Sequence, residues 1–172
     1  MSILSKTRIE YEDEHLLVVY KPAGMLSQND STGDASVVDF VKRHLGVQQS
    51  FLIHRIDRPV GGLLAIAKNK RSAELFSRLL RKGRIRKKYT AIVFGTPPKE
   101  KDEIQNFVLE KEGHSTQVFD TVPVGQDNKK YKEAVLRYEL VKSARFHDIK
   151  EFSEVFSLLS IELITGRKHQ IR

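Results

Sequence analysis

Apolar residues recur along this chain with two periods, and together they lay out its elements before any chemistry is considered. Residues 9–11 and, more strongly, 16–20 read as strands, and Lys21-Pro22-Ala23-Gly24 breaks the second of them. The polar stretch 27–34 is predicted to be a loop. Behind it Val37, Val38, Val41 and Leu45 form one helical stripe that Gly46 ends, a helix expected to pack on the sheet. A short apolar run, 63–67, follows the Gly61-Gly62 pair and predicts a further strand. Ala73, Phe76, Leu79 and Leu80 then recur at helical spacing, with Arg78, Arg81 and Lys82 on the other side and Gly83 as the expected C-cap.

Over 84–94 a basic entry leads into a strand in which Tyr89, Ala91 and Val93 face one way and Thr90, Ile92 and Phe94 the other, until Gly95, Pro97 and Pro98 end it. Ala134, Leu136, Tyr138 and Leu140 alternate in a later run, and 157–164 makes another ahead of Thr165-Gly166. The polar segments 125–130 and 145–151 read as hairpin connections. There is no internal repeat, long linker or low-complexity tract, and no parallel βαβ alternation is evident. Four or more strands with two helices between them predict a single α+β domain over residues 1–172.

Composition narrows the class. A chain of 172 residues suits one domain, long enough to bury roughly 70% of the surface it exposes unfolded. With 30% charged and 40% hydrophobic residues it is too apolar for a disordered chain. Its longest apolar runs fall far short of the roughly 20 residues that span a bilayer, and its start has no apolar stretch of signal-peptide length. Without cysteine there are no disulfides or thiolate metal sites, and the six histidines show no metal-ligand spacing. These features predict a cytoplasmic protein with no membrane partner and no metal. The formal net charge of +8 points instead to an anionic partner, since a basic surface attracts nucleic acid by releasing counterions.

The chemistry concentrates in residues 51–68, FLIHRIDRPVGGLLAIAK, where Asp57 is the one acid and stands between Arg55 and Arg58. The Gly61-Gly62 pair lets the backbone turn sharply or lets another backbone come close, so the loop is able to hold Asp57 rigidly. Two readings are open: a surface ion pair contributing about 0–1 kcal/mol, or a carboxylate kept ionised in a cleft by a neighbouring guanidinium. Geometry separates them. The run containing Arg81, Lys82, Arg84, Arg86, Lys87 and Lys88 reads equally as a solvated basic face or as an RNA surface. Tyr89 beside it reads as a strand aromatic or as a platform for an unpaired base. The end, LITGRKHQIR, presents Arg167, Lys168, His169 and Arg172, and its bland reading is a frayed basic tail. His54 and His169 are possible bases, although a lone histidine is more often structural. No P-loop, dinucleotide fingerprint or Gly-x-Ser-x-Gly elbow is present.

Taken in order, KPAG from Lys21, HRIDRPVGGLLAIAK from His54, KKYTAIVFG from Lys87 and the terminal LITGRKHQIR make the chain similar to the RluA family of RNA pseudouridine synthases. The resemblance runs from about residue 9 to Arg172. It implies a mixed, largely antiparallel sheet with flanking helices, a cleft that takes ribosomal or transfer RNA, and isomerisation of uridine to pseudouridine without a cofactor. It further implies that Asp57 is the essential aspartate, that Arg172 pairs with it, and that Tyr89 stacks on the target base. Arg55 would enter the space a flipped nucleotide leaves, and the basic set Arg58, Arg81, Lys82, Arg84, Arg86, Lys87, Lys88, Arg167 and Lys168 would contact RNA. A noncatalytic RNA-binding protein on the same fold is the alternative. Where the family often has Thr-Ser-Gly, this chain has Val60-Gly61-Gly62, so altered hydrogen bonds around the loop are expected with Asp57 still in place. The family normally continues several tens of residues past the QIR element, so the chain reads as truncated at its C-terminus. No separate RNA-binding module precedes the domain in this reading, and a monomer is expected.

Overall fold

The computed structural model describes residues 3–110, 116–124, 127, 130–147 and 153–172. By the clustering of its contacts the chain divides into two compact units, Met1–Arg84 and Ile85–Arg172. The first contains β1 (Arg8–Glu12), β2 (Leu16–Lys21), α1 (Val37–Leu45), β3 (Phe51–Leu52), β4 (Gly62–Ala67) and α2 (Lys70–Arg81). Its four strands form an antiparallel sheet in the order β1-β2-β4-β3. Asp13 makes the β1–β2 turn by accepting from the N–H groups of His15 at 2.7 Å and Leu16 at 2.6 Å.

The core of this unit follows from the two periods. Leu17 and Val19 of β2 lie in register with Ile66 and Leu64 of β4, and all four are fully enclosed, as are Val37 and Val41 of the α1 stripe. Ser36 caps α1 by accepting from the Asp39 N–H, and Gly46 ends it in the left-handed region at φ 66°. Asn69 caps α2 in the same way through the Ser72 N–H. The helix ends one residue sooner than the expected cap, at Arg81 with Lys82 following, while Gly83 takes the left-handed conformation just beyond. α2 packs on β3 and β4.

The second unit contains β5 (Lys87–Phe94), β6 (Lys101–Glu110), β7 (Thr116–Phe119), β8 (Lys132–His147) and β9 (Ser153–Leu163). They form an antiparallel sheet in the order β5-β9-β8-β6-β7. Leu136, Tyr138, Leu159 and Ile161 are its buried cluster, with Tyr89, Ala91, Val93 and Ile171 packed against them. The fold is α+β and largely antiparallel as expected, with parallel pairing entering through the isolated Leu26–Ser36 bridge. β3, β6 and β7 were not predicted. β8 runs on to His147, and the connections expected over 125–130 and 145–151 fall largely outside the described residues. Among the described residues no helix is long and apolar enough to cross a membrane.

Candidate active site

Asp57 is half-buried at the head of a turn between β3 and β4 that the Val60 N–H closes onto the Asp57 carbonyl at 3.0 Å. Each neighbouring residue is tied down. The Ser27 hydroxyl donates to the Ile56 carbonyl at 2.6 Å and accepts from the Ile56 N–H at 3.2 Å, so one buried side chain satisfies both backbone groups of the residue before Asp57. On the other side the Arg58 carbonyl accepts from the Gly24 N–H at 2.7 Å. The Arg58 guanidinium binds the Asp34 carboxylate at 2.7 Å and the Gly24 carbonyl at 3.1 Å. Arg55 is exposed.

Both uses expected of the glycine pair occur. A Cβ on Gly61 would stand 3.3 Å from the Tyr20 hydroxyl and 3.4 Å from the Ala23 nitrogen, so this glycine admits the KPAG backbone; Gly62 lies at φ 149°. Thus the Asp57 loop is pressed against the Lys21–Gly24 turn, and no Thr-Ser hydroxyls are needed to close it.

Lys21 is the unexpected member of this arrangement. It continues the inward face of β2 after Leu17 and Val19, and its side chain is fully buried. Its ammonium donates to the carbonyls of Met25 at 2.8 Å, Arg58 at 3.2 Å and Pro22 at 3.3 Å. Burial pushes its pKa down to about 8, a fall that the Asp57 carboxylate partly offsets.

In the second unit Tyr89 lies half-buried on β5 opposite Ile161. Lys87 shares its face, and there the ammonium donates to the Thr165 carbonyl at 3.1 Å; burial and then the Arg167 charge hold its pKa below the usual value. Lys88 points to the opposite, exposed face. Beyond β9 the chain turns back on β8. Thr165 accepts from the Val135 N–H at 2.8 Å, and the Gln170 amide donates to the Val135 carbonyl at 3.0 Å. Gln170 also accepts from the Thr165 hydroxyl and from the Arg167 N–H. Arg167 donates to the Glu133 carbonyl at 2.6 Å, and the Arg172 N–H bonds the His169 carbonyl at 3.0 Å. Lys168, His169, Gln170 and Arg172 line one side of a cavity of about 300 Å³ floored by Val108, Ala134 and Leu136.

Of the residues singled out from sequence, His54, Arg55, Asp57, Arg58, Arg78, Arg81, Lys82 and Arg84 therefore belong to the first unit, and Arg86, Lys87, Lys88, Tyr89, Arg167, Lys168, His169 and Arg172 to the second. Arg81, Lys82, Arg84 and Arg86 are exposed, whereas Arg58, Lys87 and Arg167 have their cationic groups engaged by protein carbonyls or a carboxylate. Among the described residues no group of three or more His, Asp or Glu is placed to hold a metal ion.

Residues 15–172 match the family model described as RNA pseudouridylate synthase. The chain belongs to this family. It is 32% identical over 164 residues to the ribosomal large subunit pseudouridine synthase C of Rickettsia typhi, covering 94% of this chain and 50% of that protein. Among solved structures it is similar to human RNA Pseudouridylate Synthase Domain Containing 4, with a TM-score of 0.71 at 24% identity over 98% of this chain and 63% of that one. Human RNA Pseudouridylate Synthase Domain Containing 1 gives a TM-score of 0.75 at 19% identity over 100% of this chain and 65% of that one. The chain spans about half the length of the curated relatives it matches.

Three residues of this pseudouridylate synthase chain have structural roles that their sequence context does not assign. Lys21 had a signal, since the alternation of β2 puts position 21 on the face of Leu17 and Val19. Ser27 and Gln170 had none, because a polar residue in a loop does not announce which distant backbone it satisfies.

Proposed function

We propose that this chain isomerises specific uridines in structured RNA, ribosomal or transfer, to pseudouridine, with Asp57 as the one reacting carboxylate and no cofactor. The observation that supports it best is the Asp57 loop: the only acid of the family motif, half-buried, with the backbone on either side anchored to Ser27 and to the Lys21–Gly24 turn. Rigid presentation of a single carboxylate suits a reaction in which the leaving group never departs. The bond from the ribose carbon to uracil N1 breaks, the ring turns in place, and C5 bonds to the same carbon. The C5 proton passes to solvent and N1 gains one. A glycosidase needs two carboxylates because water enters and the leaving group must be protonated; here uracil leaves as a delocalised anion and is recaptured. Asp57 either attacks the sugar carbon or takes a sugar proton.

In this reading Tyr89 stacks on the uracil and Arg172 pairs with Asp57. Arg55 fills the gap left by the flipped nucleotide, offsetting part of the few kcal/mol that flipping costs. The exposed Arg81, Lys82, Arg84, Arg86 and Lys88 meet phosphates, and Lys168 adds a further cation. We take residues 1–172 to act as one catalytic domain, as a cytoplasmic monomer that needs neither metal nor membrane. The naming of the Rickettsia relative favours ribosomal RNA. Release of tritium from RNA labelled at uridine C5 tests this reading directly. The chain should release label and Asp57→Ala should not, while both bind the RNA with affinities within about threefold. Binding without release by either protein would make the chain an RNA-binding protein on this fold.

A further inference from the structure

In a chain of formal net charge +8, residues 27–36 carry two carboxylates, Asp30 and Asp34, and no cation. Near both its ends this segment is joined to the Asp57 turn, by the Ser27 hydroxyl on the Ile56 backbone and by Asp34 on Arg58. We propose that Asp34 is a positioning residue for Arg58, holding its guanidinium where it takes a phosphate beside the nucleotide on which Asp57 acts. This rests on the reading of Asp57 as the reacting group and of RNA as its substrate.

Three observations converge. The guanidinium is held from two sides: Nε donates to the Gly24 carbonyl at 3.1 Å, and Nη2 stands 2.7 Å from the Asp34 carboxylate. The Gly24 N–H in turn bonds the Arg58 carbonyl at 2.7 Å, so side chain and backbone of Arg58 are tied to one residue. The carboxylate itself comes from a braced segment. Asp30 accepts from the N–H and the hydroxyl of Thr32, and beside Asp34 the Ala35 carbonyl accepts from the Leu26 N–H at 3.4 Å. Third, the arrangement faces water. Among the described residues Nη1 has no partner, and the Arg58 side chain is 47% exposed, so the donors that match the oxygens of a phosphate are open to one. As a stabilising contact such an exposed pair is worth little, and as a bare charge Asp34 repels RNA. Orienting the arginine is the role that accounts for a carboxylate at this place, because a guanidinium ordered beforehand loses no rotamer freedom when the phosphate arrives.

The test measures the affinity for ribosomal RNA labelled with tritium at uridine C5 in the wild type, Asp34→Ala, Asp34→Glu, Arg58→Gln and the double variant of Asp34→Ala with Arg58→Gln. Coulomb's law alone predicts that removing a negative charge strengthens RNA binding. Positioning predicts the opposite sign: Asp34→Ala should weaken binding about two- to tenfold, the scale of ordering one long side chain on association. Asp34→Glu, which keeps the carboxylate, should recover most of the loss. In the Arg58→Gln background Asp34→Ala should leave binding unchanged or strengthen it. Unchanged or tighter binding by Asp34→Ala with Arg58 present overturns the proposal. So does an equal loss in the Arg58→Gln background, which would trace the effect to the loop instead of the guanidinium. If the wild type binds this RNA and releases no tritium, the uridine reading fails while the affinities still decide the place of Asp34.

Discussion

Ser27 shows how a single small side chain sets the geometry of the Asp57 loop. Its hydroxyl both donates to and accepts from the backbone of Ile56, and all three groups are shielded from water. Ser27→Ala leaves a buried N–H and a buried carbonyl without partners, so it should cost about 1–3 kcal/mol of unfolding free energy in urea titration. Lys21 makes an opposite kind of contribution. Its folded pKa of about 8 lies below the 10.5 of the unfolded chain, so the unfolded state holds more protons between those values. Its contribution to stability is therefore present above about pH 10.5 and is lost as pH falls through about 8. Lys21→Met removes this dependence. The stability advantage of the variant, measured by denaturation at several pH values, should shrink as pH rises from about 8 toward 10. The position of Lys21 was readable from period-2 alternation, but its three carbonyl partners were not, because they lie in a turn and a loop that only the fold brings together.

At the scale of elements, the segment after β9 shows what the QIR motif does structurally. The strand expected over 157–164 stops at Leu163, and Thr165 to Arg172 then folds back as a pinned turn instead of trailing as a basic tail. Gln170 is the clasp, accepting from Arg167 and Thr165 and donating to Val135 on β8. Gln170→Ala should speed hydrogen exchange of the Arg167 amide roughly tenfold or more, since about 1.4 kcal/mol is a factor of ten. The amides of the β8–β9 ladder should exchange as before. Both helices and β2, β4, β5 and β9 were legible because their apolar residues keep one period. β6 was not, for the face that ends in the buried Val108 runs Asp102, Ile104, Asn106, Val108, and polar residues at alternate positions, with Ile104 itself exposed, erase the signal. β7 and β3 are too short to show any period, and β6 owes its register partly to the Lys101–Glu139 and Arg137–Glu103 pairs across to β8.

At the scale of the whole molecule, the net charge of +8 hides two populations of cations. Lys21, Arg58, Lys87 and Arg167 are engaged by protein carbonyls or a carboxylate, and Lys101 and Arg137 are paired with glutamates. Arg55, Arg78, Arg81, Lys82, Arg84, Arg86 and Lys88 are exposed. Counterion release distinguishes them, because each phosphate neutralised steepens the dependence of log K on log salt by about 0.7–0.9. Replacing Arg81 and Lys82 together by glutamine should flatten that slope by roughly 1.5 while leaving the melting temperature within a few degrees. Lys101→Gln, which removes a paired cation from the outer face of β6, should leave the slope unchanged within error. An unchanged slope in the Arg81/Lys82 variant would take the end of α2 out of the RNA footprint. A flattened slope with Lys101→Gln would mean that its pair with Glu139 opens to meet phosphate, as an exposed ion pair worth about 0–1 kcal/mol readily does.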